Sequence, residues 1–216
     1  MKILFYLSVL LFFSCGYEAG LPAVLPPNNL INESVVSEEN KLIITLTNDN
    51  KIKVEQLENQ SHIEIQKHIK HFLKKDLKKD TNQPNLMFLT KVFCEEKINT
   101  LNNYTTDESK EEMTNWKKKL LAVKTIGDFH TINDSSFIEI NYSKSNSYGD
   151  FIVLRDIIMA TIIELRNELS IEKFGISYEE LEDFQENKKN EVNAEKINAL
   201  RLAFPQNIRK RKLDKI

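Results

Sequence analysis

Between residues 136 and 175 the spacing of apolar side chains switches from period two to about 3.6, and this switch constrains the fold more than any other feature. Ser136-Phe137-Ile138-Glu139-Ile140-Asn141-Tyr142 alternates and reads as a strand with Phe137 and Tyr142 at its margins. A polar loop over residues 143–147 leads into Tyr148-Gly149-Asp150, and a long helix is expected from there to Phe174. Ile152, Ile163 and Leu169 are expected on its core face, with Asp156 and Arg166 turned away from the core. Gly175 follows in the position where a left-handed residue ends a helix.

The flanking segments supply the remaining elements. Lys41-Leu42-Ile43-Ile44-Thr45-Leu46-Thr47 is rich in β-branched residues, Asn48-Asp49-Asn50 is a turn, and Lys51-Ile52-Lys53-Val54-Glu55 alternates back, so a hairpin is predicted. Ser61 with Glu64 three residues on has the form of a capping box. The helix it opens places Ile65, Ile69, Phe72, Leu73 and Leu77 on one face, and residues 81–85 break it. Residues 85–134 read as an insertion. It holds an apolar element at Met87-Phe88-Leu89 and Val92-Phe93, then a helix over 107–123 with Trp116, Leu120 and Leu121 inward. Ser177-Tyr178-Glu179-Glu180 is a second capping box. Its helix continues, with a kink expected among the lysines and asparagines, through Ile197, Leu200 and Leu202 to Phe204, where Pro205 ends it. Gln206-Asn207-Ile208 suggests a short strand, and Arg209-Lys210-Arg211-Lys212 reads as a solvated, frayed basic terminus, with contact to anionic lipid or acidic partners as the alternative. The fold class expected is α+β.

The N-terminus reads as an address. One lysine is followed by an apolar run ending at Phe13, too short for the ~20 residues needed to cross a bilayer. This is the pattern of a secretory signal. Ser14-Cys15-Gly16 resembles the cleavage site of bacterial lipoproteins, which makes Cys15 the expected lipid attachment site. The alternative is a short uncleaved anchor; either way the chain beyond about residue 20 is expected outside the cytoplasm. Residues 16–40 form a tether whose Leu25-Pro26-Pro27 stretch is extended, because proline restricts its predecessor to β or polyproline geometry.

Chemistry is thinly represented. The net charge is −2, so no global field favours nucleic acid. Five glycines and five prolines argue against a turn-dense β-sandwich and against a phosphate-cradling loop. The two cysteines, Cys15 and Cys94, make no metal or redox pair, and Cys94 is expected to be a small buried hydrophobe. His68 and His71 stand three apart, but the nearby Glu64 belongs to the helix cap, so a solvated helix face is expected rather than a metal site. GxSxG, GxGxxG, HExxH and P-loop motifs do not occur, and Glu111-Glu112 and Glu179-Glu180 lie in charge-rich helices. No catalytic residue, metal or cofactor is predicted, and the chain is not expected to be an enzyme.

The order of these elements resembles the ExbD/TolR family, the periplasm-facing subunits of proton-driven envelope motors, and within it a long-insertion version of ExbD. Three stretches carry the resemblance. They are Ala19-Gly20-Leu21 leading to Leu25-Pro26-Pro27; the hairpin with its Thr47-Asn48-Asp49-Asn50 turn; and the run from Phe137 through Ser147-Tyr148-Gly149-Asp150-Phe151-Ile152 to Glu164-Leu165-Arg166-Asn167-Glu168-Leu169. Phe174-Gly175 and Phe204-Pro205-Gln206 fit as well. The resemblance implies a periplasmic α+β domain over residues 41–216 that pairs with a second copy, beside an ExbB-like channel subunit and a TonB-like transducer. The protein would be membrane-attached in the envelope of a Gram-negative bacterium. Tyr148 and Gly149, with Ile157, Ile158 and Ile162 on the outer face of the long helix, are the expected partner-binding residues. Family members carry an aspartate in a transmembrane helix, kept there for proton relay. Residues 1–14 hold no acid, and Lys2 stands near its place, so no proton-handling role carries over. The alternative is a stand-alone envelope lipoprotein, in which those three isoleucines are ordinary core.

Overall fold

A computed structural model of the chain describes residues 40–213 apart from 50, 59, 75–84 and 189–190. The expected signal or anchor over residues 1–15, the Cys15 lipid site, nearly all of the 16–40 tether and Leu77 lie outside the described residues.

The domain is α+β. Strand β1 (Lys41–Leu46) returns antiparallel as β2 (Ile52–Val54), as the alternation predicts, with Ile44 opposite Val54. Helix α1 (His62–Leu73) starts at Ser61, whose hydroxyl accepts from the Glu64 amide while the Glu64 carboxylate accepts from the Ser61 amide. Then come β3 (Leu86–Leu89), α2 (Lys91–Leu101), α3 (Asp107–Ile126), β4 (Phe129–Ile132) and β5 (Phe137–Ser143). The chain closes with α4 (Tyr148–Phe174), α5 (Tyr178–Lys188), α6 (Glu191–Ala203) and β6 (Ile208–Leu213).

The main sheet has the order β2-β1-β5-β6, with β5 parallel to both β1 and β6. Register aligns Leu42, Ile44 and Leu46 with Ile138, Ile140 and Val54 on one face, where all six are buried in the main hydrophobic cluster. Ile65, Ile69, Phe72 and Leu73 of α1 and Leu154, Ile158, Ile162 and Leu165 of α4 pack into the same cluster. Burial on this scale is the dominant favourable term in folding. Strand β5 is buried at Phe137 and Glu139 as well as at Ile138 and Ile140; on the face of Phe137 and Glu139, Arg209 lies over the Phe137 ring and Arg211 approaches Glu139 at 3.9 Å.

Residues 85–134, read as an insertion, are built into this core. β3 and β4 pair antiparallel from Leu86–Ile132 to Leu89–Phe129 and close the excursion of the α2–α3 helical hairpin. Leu89, Cys94, Trp116, Ala122, Val123, Ile126, Phe129 and Ile132 join the main cluster. Phe93 and Trp116 meet edge to face at 5.5 Å, and Lys119 lies over the indole while pairing with Asp134 at 2.9 Å. Asn85 donates to the Phe72 carbonyl at 2.7 Å, which ties the start of β3 to the end of α1.

Three expectations change. Leu121, expected inward, is exposed, because the core-facing side of α3 runs through Trp116, Lys119, Ala122, Val123 and Ile126. Arg209-Lys210-Arg211-Lys212 is not a frayed terminus but the body of β6, hydrogen-bonded in register to Glu139, Ile140, Asn141 and Tyr142. Arg166 is buried, only 3% exposed, rather than turned away from the core. The Gly175 stop is as expected, at φ 72° in the left-handed region, where a Cβ would be strained. The last helical segment is two helices, α5 and α6, and residues 189–190 between them lie outside the described residues.

Cys94 is fully buried, and burial pushes its thiol above the ordinary cysteine range. In native protein a thiol-reactive dye should therefore leave Cys94 unmodified until denaturant is added; rapid labelling would mean that the α2–α3 hairpin opens locally.

Candidate functional site

The predicted partner-binding residues separate into two groups. Tyr148 and Gly149 are exposed at the start of α4, whereas Ile157, Ile158 and Ile162 are core. Their exposures are 9%, 0% and 0%. The reason is the composition of α4, whose turns carry Phe151, Leu154, Ile157, Ile158, Ile162 and Leu165 toward the sheet and α1. The seam between α4 and α1 is edged by ion pairs: Glu164 pairs with Lys70 at 2.6 Å and Glu168 with Lys74 at 2.9 Å, both lysines on or just beyond α1. Ile157, Ile158 and Ile162 therefore offer no exposed pairing surface; the exposed large apolar side chains of α4 are Tyr148, Val153 and Ile171.

The start of α4 is held by short polar side chains. Ser147 caps the helix, accepting from the Asp150 amide at 3.1 Å while its hydroxyl donates to the Asp150 carboxylate at 2.6 Å. The preceding loop is fastened to the β1–β2 turn. Ser143 and Ser145 hydroxyls donate to the Asn48 side-chain oxygen at 2.8 and 2.7 Å, and the Asn146 amide donates to the Thr47 carbonyl. The turn is itself ordered by Asp49, whose carboxylate accepts from Thr47 and pairs with Lys51 at 2.7 Å. Hydrogen bonds from Lys51 and Thr47 hold the Asp49 carboxyl down at about 2. Thr47, Asn48 and Asp49 of the first turn and the loop that leads into the Ser-Tyr-Gly turn, distant in sequence, thus form one polar platform.

A cleft of about 440 Å³ opens beside this platform. Tyr142 and Phe151 form its aromatic floor with ring centroids 5.3 Å apart, and Lys210 lies over the Phe151 ring at 5.1 Å. Lys144, Lys210 and Lys212 line it together with Tyr148. The lysines of β6 reach it because register places Lys210 and Lys212 on the same side of the sheet as Ile140 and Tyr142. Tyr148 is 78% exposed, an aromatic side chain standing in solvent next to three ammonium groups and the positive end of a 27-residue helix. Gly149 needs no glycine-only geometry: an added Cβ would meet nothing closer than the Ser147 hydroxyl at 3.7 Å. The sequence pointed to Tyr148 and to a basic stretch containing Lys210 and Lys212, but not to their meeting, which strand pairing brings about.

The arrangement offers an aromatic anchor within a cationic rim, suited to an acidic and partly apolar protein surface. Among the described residues no group of three or more His, Cys, Asp or Glu is arranged to hold a metal ion, and no helix is long and apolar enough to cross a membrane. No protein-family model, curated protein or solved structure matches the chain.

Proposed function

We propose that the protein is an ExbD-like, membrane-tethered envelope component that acts by binding other proteins rather than by catalysis. The observation that carries this reading is the pairing of a sheet edge with the Tyr148 cleft. β6 ends the sheet order, so the backbone groups on its outer side are offered to a partner, and Lys210 and Lys212 of the same strand line the cleft that Tyr148 overhangs. The order hairpin, helix, strand, long helix and terminal strand agrees with that expected from the resemblance. Partners of this reading are a second copy of the chain, an ExbB-like channel subunit and a TonB-like transducer. Self-pairing would use the β6 edge or the Tyr148 cleft, since Ile157, Ile158 and Ile162 are committed to the core.

The burial of those isoleucines favours a second reading, an envelope lipoprotein with a binding or structural role of its own. The two are separated by solubilising membranes in mild detergent, recovering the protein through a C-terminal tag and identifying what accompanies it. The motor reading requires a channel subunit and a transducer; recovery of the protein alone, or with outer-membrane partners only, sinks it. Tyr148→Ala should reduce partner recovery by about tenfold, as expected of an aromatic anchor, and leave thermal stability within ~0.5 kcal/mol of the parent.

A further inference from the structure

A second cleft, of about 380 Å³, lies at the junction of α4, α5 and α6, away from the Tyr148 platform. Ile163, Arg166, Tyr178, Glu182, Arg201 and Gln206 line it. Arg166 is buried, and its Nε and Nη2 both donate to the Phe204 carbonyl, at 3.1 and 2.8 Å. Arg201 donates through Nε to the Tyr178 hydroxyl at 2.9 Å and through Nη2 to Glu182 Oε1 at 2.8 Å. The Tyr178 hydroxyl in turn donates to the same carboxylate oxygen. Arg201 Nη1 donates to no atom among the described residues, and Arg166 Nη1 reaches only the Tyr178 oxygen, at 3.4 Å.

The charges do not balance. Two guanidinium groups face one carboxylate, and Gln206 and Tyr178 bring no further negative charge. Both arginines sit beside an open space with N–H groups to spare, and a guanidinium presents those groups as a planar fork that matches a carboxylate. One added monoanion would neutralise the cluster, whereas a phosphate, at about −1.5 to −2, would leave it negative beside Glu182. Leaving a half-buried cation uncompensated is costly.

We infer that this cleft binds a carboxylate, held by the free edge of Arg201 with Arg166 behind it. The source is either a free small acid or the C-terminal carboxylate of a polypeptide. The inference does not depend on the motor reading, because it rests on other helices and other residues.

The test is thermal unfolding of the full chain at matched ionic strength, titrated with sodium acetate, with an N-acetylated trialanine acid, with the same peptide amidated, and with inorganic phosphate, against sodium chloride. Ligand that binds only the folded state raises Tm in a saturable way. Acetate and the peptide acid are expected to do so, the amide and chloride not, and phosphate less than acetate. A response to the peptide acid without acetate assigns the site to chain termini. Arg201→Gln should abolish the response, and Arg201→Lys, which keeps the charge but loses the fork, should weaken binding about tenfold. Half of the Arg201 side chain is exposed, so both variants are expected to fold, as circular dichroism would verify. Glu182→Gln removes the competing carboxylate and should tighten acetate binding severalfold. Equal shifts with chloride, a larger shift with phosphate, an unchanged response in both Arg201 variants, or unchanged acetate affinity in Glu182→Gln would each overturn the inference.

Discussion

Replacing Ile158 with alanine is expected to cost about 2–5 kcal/mol of folding stability, the range for truncating a large aliphatic side chain at a site that cannot collapse. Ile158 is fully buried, in the cluster formed by α4, α1 and the sheet residues Ile44, Ile138 and Ile140. Truncation removes three carbons from a region packed about as densely as an organic crystal. It loses both their transfer free energy and the contacts their neighbours made with them. Chemical denaturation measures the effect directly, as a lowered midpoint with an unchanged slope. The same variant decides between core and interface. If Ile158 lay on a pairing surface, Ile158→Ala would weaken association and leave the unfolding free energy of the dilute monomer nearly unchanged. A loss below about 0.5 kcal/mol in the monomer would return Ile158 to the surface and contradict the packing of α4.

Why the sequence suggested otherwise can be seen along α4. Leu154, Ile157, Ile158, Ile162, Ile163 and Leu165 place apolar side chains around much of the helix, and a helix that is apolar on most sides is one buried by several neighbours. Such a pattern assigns the element correctly but cannot tell which side meets a second chain. Local signals fared better. The Ser61–Glu64 and Ser177–Glu180 boxes, the left-handed Gly175 and the β1–β2 hairpin all lie within a few residues of their causes, and each is where the spacing put it.

The extent of β6 was hidden for the opposite reason: a short strand is expected at residues 206–208, whereas the strand runs Ile208–Leu213. Ile208-Arg209-Lys210-Arg211-Lys212-Leu213 has no alternation of apolar and polar residues. It is a strand because β5 supplies the hydrogen bonds and two aromatic faces accept its cations. Arg209 lies 3.8 Å from the Phe137 ring centroid, and Lys210 lies over Phe151. Lysine and arginine on an exposed edge strand also discourage unwanted pairing, a purpose that a composition-based reading takes for a solvated tail. The Arg166 cleft escaped in the same way. Of its five polar members, Arg166, Tyr178, Glu182 and Arg201 come from α4, α5 and α6 and Gln206 from the segment before β6, and only the i, i+4 step from Tyr178 to Glu182 is local enough to be read from spacing.

Arg166→Ala should cost about 3–5 kcal/mol, the range seen when one partner of a buried charged contact is removed. The guanidinium donates twice to the Phe204 carbonyl, at the C-terminal end of α6, where a helix presents unpaired carbonyls and the negative end of its dipole. Its carbon centre also lies 5.3 Å from the Tyr178 ring centroid, so one side chain joins three helices. Burial pushes the Arg166 pKa down from the usual arginine range, so the charge is held against a desolvation penalty by these contacts. Alanine would leave the Phe204 carbonyl buried without a donor and a cavity where the stem had been. Arg166→Lys should retain one hydrogen bond of the pair and lose about 1–2 kcal/mol, since an ammonium cannot span the fork. Hydrogen exchange should show where the loss falls. The amide of Phe204, bonded to the Leu200 carbonyl at 3.1 Å, and the last turn of α6 should open before the β1–β5 ladder does. If Arg166→Ala costs less than about 1 kcal/mol, water replaces the guanidinium at the Phe204 carbonyl and the junction of α4, α5 and α6 is held by apolar packing through Tyr178, Leu181, Ile197 and Leu200 alone.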